Sequence, residues 1–316
     1  MYGELMVKIE KQEQPRTPWL LIMGGVILLF IVSFFVFCFV VILIASDSAP
    51  TTGNVAVIPI KGVIMIDNED SLFATSVASS TDIVKLIEKA EADPSIQAIV
   101  FDINSPGGAP VASAEISRGI KEANKTTVAV IREVGASGAY WAASAADHII
   151  ANEVSITGSI GVLASYLEYG DLLARYNVSY ARFVSGNHKD MGTPYREMTT
   201  GEKEIYQQTL DKMHEVFINS VAENRGLEYD YVKELATGQI YLGSEALDLS
   251  LIDQLGGKQE AYAYVSSTHN ITVEPVAFEE EKSFFEILAS ALDNSAFHVG
   301  TGIGAVLVED DSGIMV

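Results

Sequence analysis

"IQAIVFDINSPGGAPVASAEISRGIKEANKTTVAVI", residues 96–131, decides the fold class. Residues 96–103 form a continuous apolar run, the pattern of a strand buried on both faces. "NSPGG" (104–108) is a loop: Pro106 fixes the turn, and the glycines allow close backbone approach. Residues 110–123 predict a helix and 126–131 a second strand. Strand, helix and strand in succession imply parallel pairing through a helical crossover.

The alternation continues outward. "NVAVIPI" (54–60) predicts a strand. "STDIVKLIEKAEAD" (80–93) predicts an amphipathic helix capped by Ser80 or Thr81, with Ile83, Leu86, Ile87 and Ala90 on one face and Pro94 as its stop. Downstream, "SGAYWAASAAD" (137–147) is helical, "HIIA" (148–151) a strand, and 155–166 a glycine-punctuated stretch. "YGDLLARY" (169–176) is helical and "VSYARFV" (178–184) a strand. Residues 200–226 form a long amphipathic helix with an imperfect capping box from Thr200 to Lys203 or Glu204 and a glycine stop. Shorter elements run on to "ITVEPVAF" (271–278), and no internal duplication is evident.

Trp19 to Ala45 contains no charged residue, and a spanning helix needs about 20 apolar residues. A cleaved signal has an apolar region of only about 7–15 residues, and Asp47 in "DSAP" spoils a small-residue cleavage site, so an uncleaved anchor is favoured. Lys8, Lys11 and Arg16 precede the span and the next basic residue is Lys61, which predicts a single-pass protein of the cell membrane with a cytoplasmic N-terminus. The expected organisation is a cytoplasmic stretch 1–18, an anchor 19–45, a linker 46–53, an extracytoplasmic domain 54–280 and a tail 281–316. The tail is glycine-rich, too short in apolar residues to span, and suits a flexible segment or an edge strand. Eight linker residues reach at most about 29 Å, which keeps the domain near the bilayer.

The 316 residues carry a net charge of −22. Three residues of each sign precede position 46, leaving 17 basic and 39 acidic side chains beyond it. An acidic domain argues against a nucleic-acid partner, which needs clustered lysine and arginine. Cys38 is the only cysteine, so neither a disulfide framework nor a cysteine-rich zinc site exists. No H-E-x-x-H or EF-hand pattern is present, and neither metal nor cofactor is expected.

Ser137, in "GASGA" (135–139), follows a strand and opens a helix. The position suits a nucleophile; it suits a plain N-cap equally. The Gly138 amide would stabilise an oxyanion, and a second donor from Gly108 is consistent with the "NSPGG" loop. A serine hydroxyl needs a base. Lys189 lies 52 residues downstream in "VSGNHKDMGTPYREMT" (184–199). A loop lysine is ordinarily a solvated charge, and neutralising one at pH 7 costs about 4.6 kcal/mol from its reference pKa. Burial shifts a lysine by about 3–5 units, so the requirement is attainable. Asp190 would oppose it if it faced Lys189; adjacent residues in an extended stretch point opposite ways. In a Ser–His–Asp alternative, His188 is the fallback base. "GASGA" departs from G-x-S-x-G at Ala139, His214 lies within the long helix, and neither His269 nor His298 follows an acid-bearing strand.

Together, "DINSPGG" (102–108), "GASGAYWAASAADHIIAN" (135–152), "ITGSIGVL" (156–163) and "SGNHKDMGTPYREMT" (185–199) resemble the signal peptide peptidase A family of membrane-anchored serine proteases, in its short single-domain form. The resemblance covers about residues 55–260 and implies an α/β fold of the Clp protease/crotonase type, with parallel sheets and crossover helices after one transmembrane helix. It implies Ser137 as nucleophile, Lys189 as general base, Ser159 as the residue orienting the lysine, and the Gly108 and Gly138 amides as the oxyanion hole. It implies peptide substrates, remnant signal peptides left in the membrane lipid, and a homo-oligomeric ring in which serine and lysine can come from neighbouring chains. Ala139 and Trp141 depart from the family's usual glycine and tyrosine. Two alternatives stay open: an NfeD-type protease acting on a stomatin-like partner, and a crotonase-like non-protease or scaffold, for which Glu115 is the candidate acid.

Overall fold

The chain is described here by a computed structural model, which describes residues 19–45, 53–67 and 77–279. The stretch 1–18, the linker apart from Gly53, and the tail 281–316 lie outside the described residues. The chain divides between Thr51 and Thr52 into two units. In the first, Trp19–Ala45 form one helix, α1. Its window Ile22–Phe39 has a mean hydropathy of 2.8 and none of it is buried, so α1 is long and apolar enough to cross a membrane.

The second unit is mixed α/β with a mainly parallel sheet. Its elements are β1 (Val55–Lys61), β2 (Val63–Met65), β3 (Val77–Ser79), α2 (Ser80–Ala92), β4 (Ala98–Ser105), α3 (Pro110–Lys121), β5 (Thr126–Ala136) and α4 (Gly138–Ser144). Next come β6 (His148–Ala151), β7 (Ile156–Gly158), α5 (Gly170–Arg175), α6 (Thr200–Arg225), α7 (Tyr229–Leu235) and β8 (Ile240–Leu242). The last are α8 (Gly243–Asp248), β9 (Gln254–Leu255), α9 (Lys258–His269) and β10 (Pro275–Ala277). The strand order is β10-β1-β4-β5-β6-β9. All of these pairs are parallel. The far end of β5 pairs with β7, which pairs antiparallel with β8.

Both faces of the sheet are covered, which explains the uninterrupted apolar runs. Ile58, Ile60, Ile99, Phe101, Ile103 and Ile131 belong to the larger core, together with buried residues of α2, α3, α4 and α6. Their neighbours Ala98, Val100, Val128 and Val130 form a second core with Ala261 and Val265 of α9.

One irregularity positions the site. Ala98 to Ile103 pair in step with Thr126 to Ile131, but Ser105 pairs with Gly135. Two extra residues on β5 therefore bulge out, and "GASG" is brought alongside "SPGG".

Three local expectations are corrected. Ser79, not Ser80 or Thr81, caps α2, its side chain accepting from the Asp82 amide. The capping box of α6 is Thr199 with Glu202, one residue earlier than expected, because Thr199 is extended (ψ 159°) while Thr200 is already helical. Residues 178–184 form no strand. Their alternating pattern meets no neighbouring strand, and Phe183 is 93% exposed.

Candidate active site

β5 runs five residues beyond its expected end and delivers Ser137 at the start of α4. Ser137 has φ 54° and ψ −125°, a backbone region that L-residues with a side chain rarely occupy. The turn is held from both sides. The Ser137 amide donates to the Gly158 carbonyl at 2.8 Å, and its own carbonyl accepts from the Trp141 amide at 2.9 Å. Ser137 stands at the N-cap position, yet its side chain makes no capping hydrogen bond.

Two amides lie beside it. Ile64 bridges Gly108 in parallel, using the Gly107 carbonyl (2.9 Å) and the Ala109 amide (2.8 Å). That pattern turns the Gly108 amide to the opposite edge of its strand. A Cβ placed on Gly138 would lie 3.3 Å from the Gly108 nitrogen, so the two glycine amides are neighbours. Gly138 opens α4, where an amide has no intrahelical partner. Gly107, at φ 94°, packs so closely that a Cβ would lie 2.6 Å from the Gly138 nitrogen. The same construction on Gly138 would strike the Ser113 hydroxyl. Gly138→Ala is therefore expected to displace this amide and lower kcat by about 10²–10³-fold. Turnover measured beside an unchanged circular dichroism spectrum checks it.

A cleft of about 840 Å³ joins these groups; Ser137, Ser159, Trp141, His214 and Phe217 are among its lining residues. Ser159, at φ 52°, follows Gly158 at φ 74°, and its amide donates to the Gln239 carbonyl at 2.8 Å. Trp141 stacks on Phe217 at 4.6 Å between ring centroids, and its indole N–H donates to the Ser220 hydroxyl at 2.7 Å. Thus Ser137, Ser159, Gly108 and Gly138 meet at one cleft. Among the described residues, His214 is its only titratable lining residue, a contribution that sequence reasoning set aside. Its Nε2 lies 3.3 Å from the Ile160 carbonyl. The signal was its spacing, three residues before the buried Phe217 on the same helix face.

Lys189 is not among the cleft-lining residues; it is exposed, on the segment 162–199. His188 is exposed beside it. Asp190 is tied elsewhere. Arg182 donates to both its carboxylate oxygens, at 2.6 and 2.7 Å, and Arg196 does the same at 3.2 and 3.1 Å. Arg196 also forks onto both oxygens of Glu202, at 2.8 and 2.7 Å. These arginines hold the Asp190 carboxyl well below the usual carboxylate range. The Arg196 guanidinium, with the Thr199 amide, lowers Glu202 to about 2. Glu202 has an ordinary value of 4.5, so what its ionisation contributes is fully present above that pH and is lost as pH falls from 4.5 toward about 2. Protection against hydrogen exchange over 182–202, with the intrinsic pH dependence divided out, is expected to hold at pH 5 and to fall progressively as pH drops from 4.5 toward about 2.

Elsewhere, Glu115 accepts from the Ser80 hydroxyl at 2.6 Å and does not line the cleft. A second cleft, of about 810 Å³, includes the buried Asp102 among its lining residues. Lys61 and Lys258 lie 3.3 and 3.0 Å from that carboxylate.

These features define a class: an α/β protein that presents a serine hydroxyl beside two glycine amides at the carboxyl edge of a parallel sheet. The chain belongs to peptidase family S49, whose model matches residues 120–272. It is 31% identical over 243 residues to "Putative protease MJ0651" of Methanocaldococcus jannaschii, covering 75% of this chain and 77% of that one. It is also 31% identical over 229 residues to "Putative signal peptide peptidase SppA" of Enterococcus faecium, covering 72% and 67%. Among solved structures, a lysine-to-alanine mutant of the 1510-N membrane-bound stomatin-specific protease, in complex with a substrate peptide, aligns at a TM-score of 0.48 and 17% identity, over 78% of this chain and 100% of that one.

Proposed function

We propose that this peptidase is a membrane-anchored serine endopeptidase with a Ser137–Lys189 dyad, and that it degrades remnant signal peptides. The observation that carries the reading is the strained, doubly held turn at Ser137, whose uncapped hydroxyl lies beside the Gly108 and Gly138 amides. Uncharged Lys189 takes the Ser137 proton as the oxygen attacks a peptide carbonyl. The two amides hold the tetrahedral oxyanion. The ammonium then gives its proton to the leaving amine; water attacks the acyl-enzyme, losing a proton to the lysine, which passes it to the Ser137 oxygen as the acyl group departs. Ser159 orients the lysine.

Lys189 reaches the cleft from a neighbouring copy in a homo-oligomeric ring. The apolar surface of the segment that carries it supports this: Leu163 and Phe183 are 83% and 93% exposed. α1 anchors the protein in the cell membrane, and the basic residues before it support a cytoplasmic N-terminus. The apolar walls at Trp141 and Phe217 suit peptides rich in small and apolar residues, as signal peptides are. The acidic surface disfavours a nucleic-acid partner. The engagement of Glu115 by Ser80 gives the hydratase alternative no support.

The test is cleavage of defined peptides by the full chain in nanodiscs. Signal-peptide sequences are expected to be cut faster than polar peptides of equal length. Preferential cutting of a stomatin tail peptide would replace this substrate assignment.

A further inference from the structure

A dyad lysine must stay uncharged, yet the next residue in the chain is an acid. Resting on the dyad reading above, we propose that Arg182 and Arg196 are positioning residues that occupy the Asp190 carboxylate and so keep it from pairing with Lys189. The geometry is saturating. An ionised carboxylate offers about four lone-pair sites, and Asp190 receives four N–H donors, two from each guanidinium. Its side chain is only 12% exposed. Arg196 is itself braced by Glu202, which is 2% exposed and also accepts from the Thr199 amide and hydroxyl at 2.9 and 3.0 Å. The clamp is thus tied, through Glu202, to the first turn of α6. Among the described residues, no carboxylate lies within ion-pair distance of Lys189.

The charges close as well. Two arginines and two carboxylates sum to zero, so the clamp adds little net field at Lys189. Other ionisable groups of the neighbourhood include His188 on the same segment, the exposed Glu197–Lys203 pair, 2.7 Å apart, and Glu168 and Tyr166, which act on Lys203. Freed of its arginines, Asp190 has one cation beside it in sequence, and that cation is the base.

The test is the pH dependence of kcat/KM of the full chain, with Lys189→Ala assayed alongside. In the double variant Arg182→Met, Arg196→Met, the acid limb is expected to move up by about one pH unit, because an opposite charge nearby favours the ammonium. Adding Asp190→Asn should return it most of the way. A merely structural clamp would lower turnover at every pH and leave the limb in place, which would overturn the inference. Should the double variant not fold, Arg182→Met alone leaves the Arg196–Glu202 brace intact; a shift of roughly half a unit supports the inference, and an unmoved limb overturns it. Turnover retained in Lys189→Ala would instead defeat the dyad reading, so the two failures are distinguishable.

Discussion

Ser137→Ala is expected to lower peptide hydrolysis by about 10⁴-fold or more while the protein stays folded, because the proposed mechanism gives the hydroxyl chemistry and no structural bond. Its side chain caps nothing, and the strained backbone is held through its own amide and carbonyl, which alanine keeps. Stability is therefore expected to change by less than about 1 kcal/mol. Turnover of a signal-peptide substrate, read with a thermal melt of the same sample, checks both halves. A variant that loses activity only because it unfolds would return Ser137 to a structural role.

Lys189→Ala is expected to give the second large effect, a loss of about 10³-fold or more. Lys189 is exposed in the single chain, so its replacement leaves the core untouched. The loss should fall on kcat, since the proposed role of Lys189 is proton transfer to and from the reacting groups rather than a hold on the substrate. A rise in KM at constant kcat would make Lys189 a binding contact instead.

The architecture was legible where burial wrote an uninterrupted pattern. Residues 98–101 and 128–131 are apolar without a break because helices cover both sheet faces. The glycines around Ser137 were legible because a strained turn and close backbone contact demand them. The register was not. Nothing in residues 131–135 announces that two of them leave the ladder, and that slip is what sets Ser137 beside Gly108. The segment 178–184 misled because alternation records a preference for a strand without supplying a partner for it. The capping box lies one residue earlier because Thr199 has Glu202 three residues on to return its bond, whereas Thr200 has Lys203, which has no acceptor; that signal was in the sequence. His214 was passed over because α6 buries little besides its second half, and a helix face cannot say whether it meets core or cleft.

The central claim is a proton transfer between Ser137 of one copy and Lys189 of the next. The most direct measurement mixes two inactive proteins, Ser137→Ala and Lys189→Ala, dissociates and reassembles them, and assays peptide hydrolysis. Random assembly is expected to restore up to about a quarter of wild-type activity, because sites joining an intact serine to an intact neighbouring lysine re-form. A mixture as inactive as its components, although the copies have exchanged, would contradict the account.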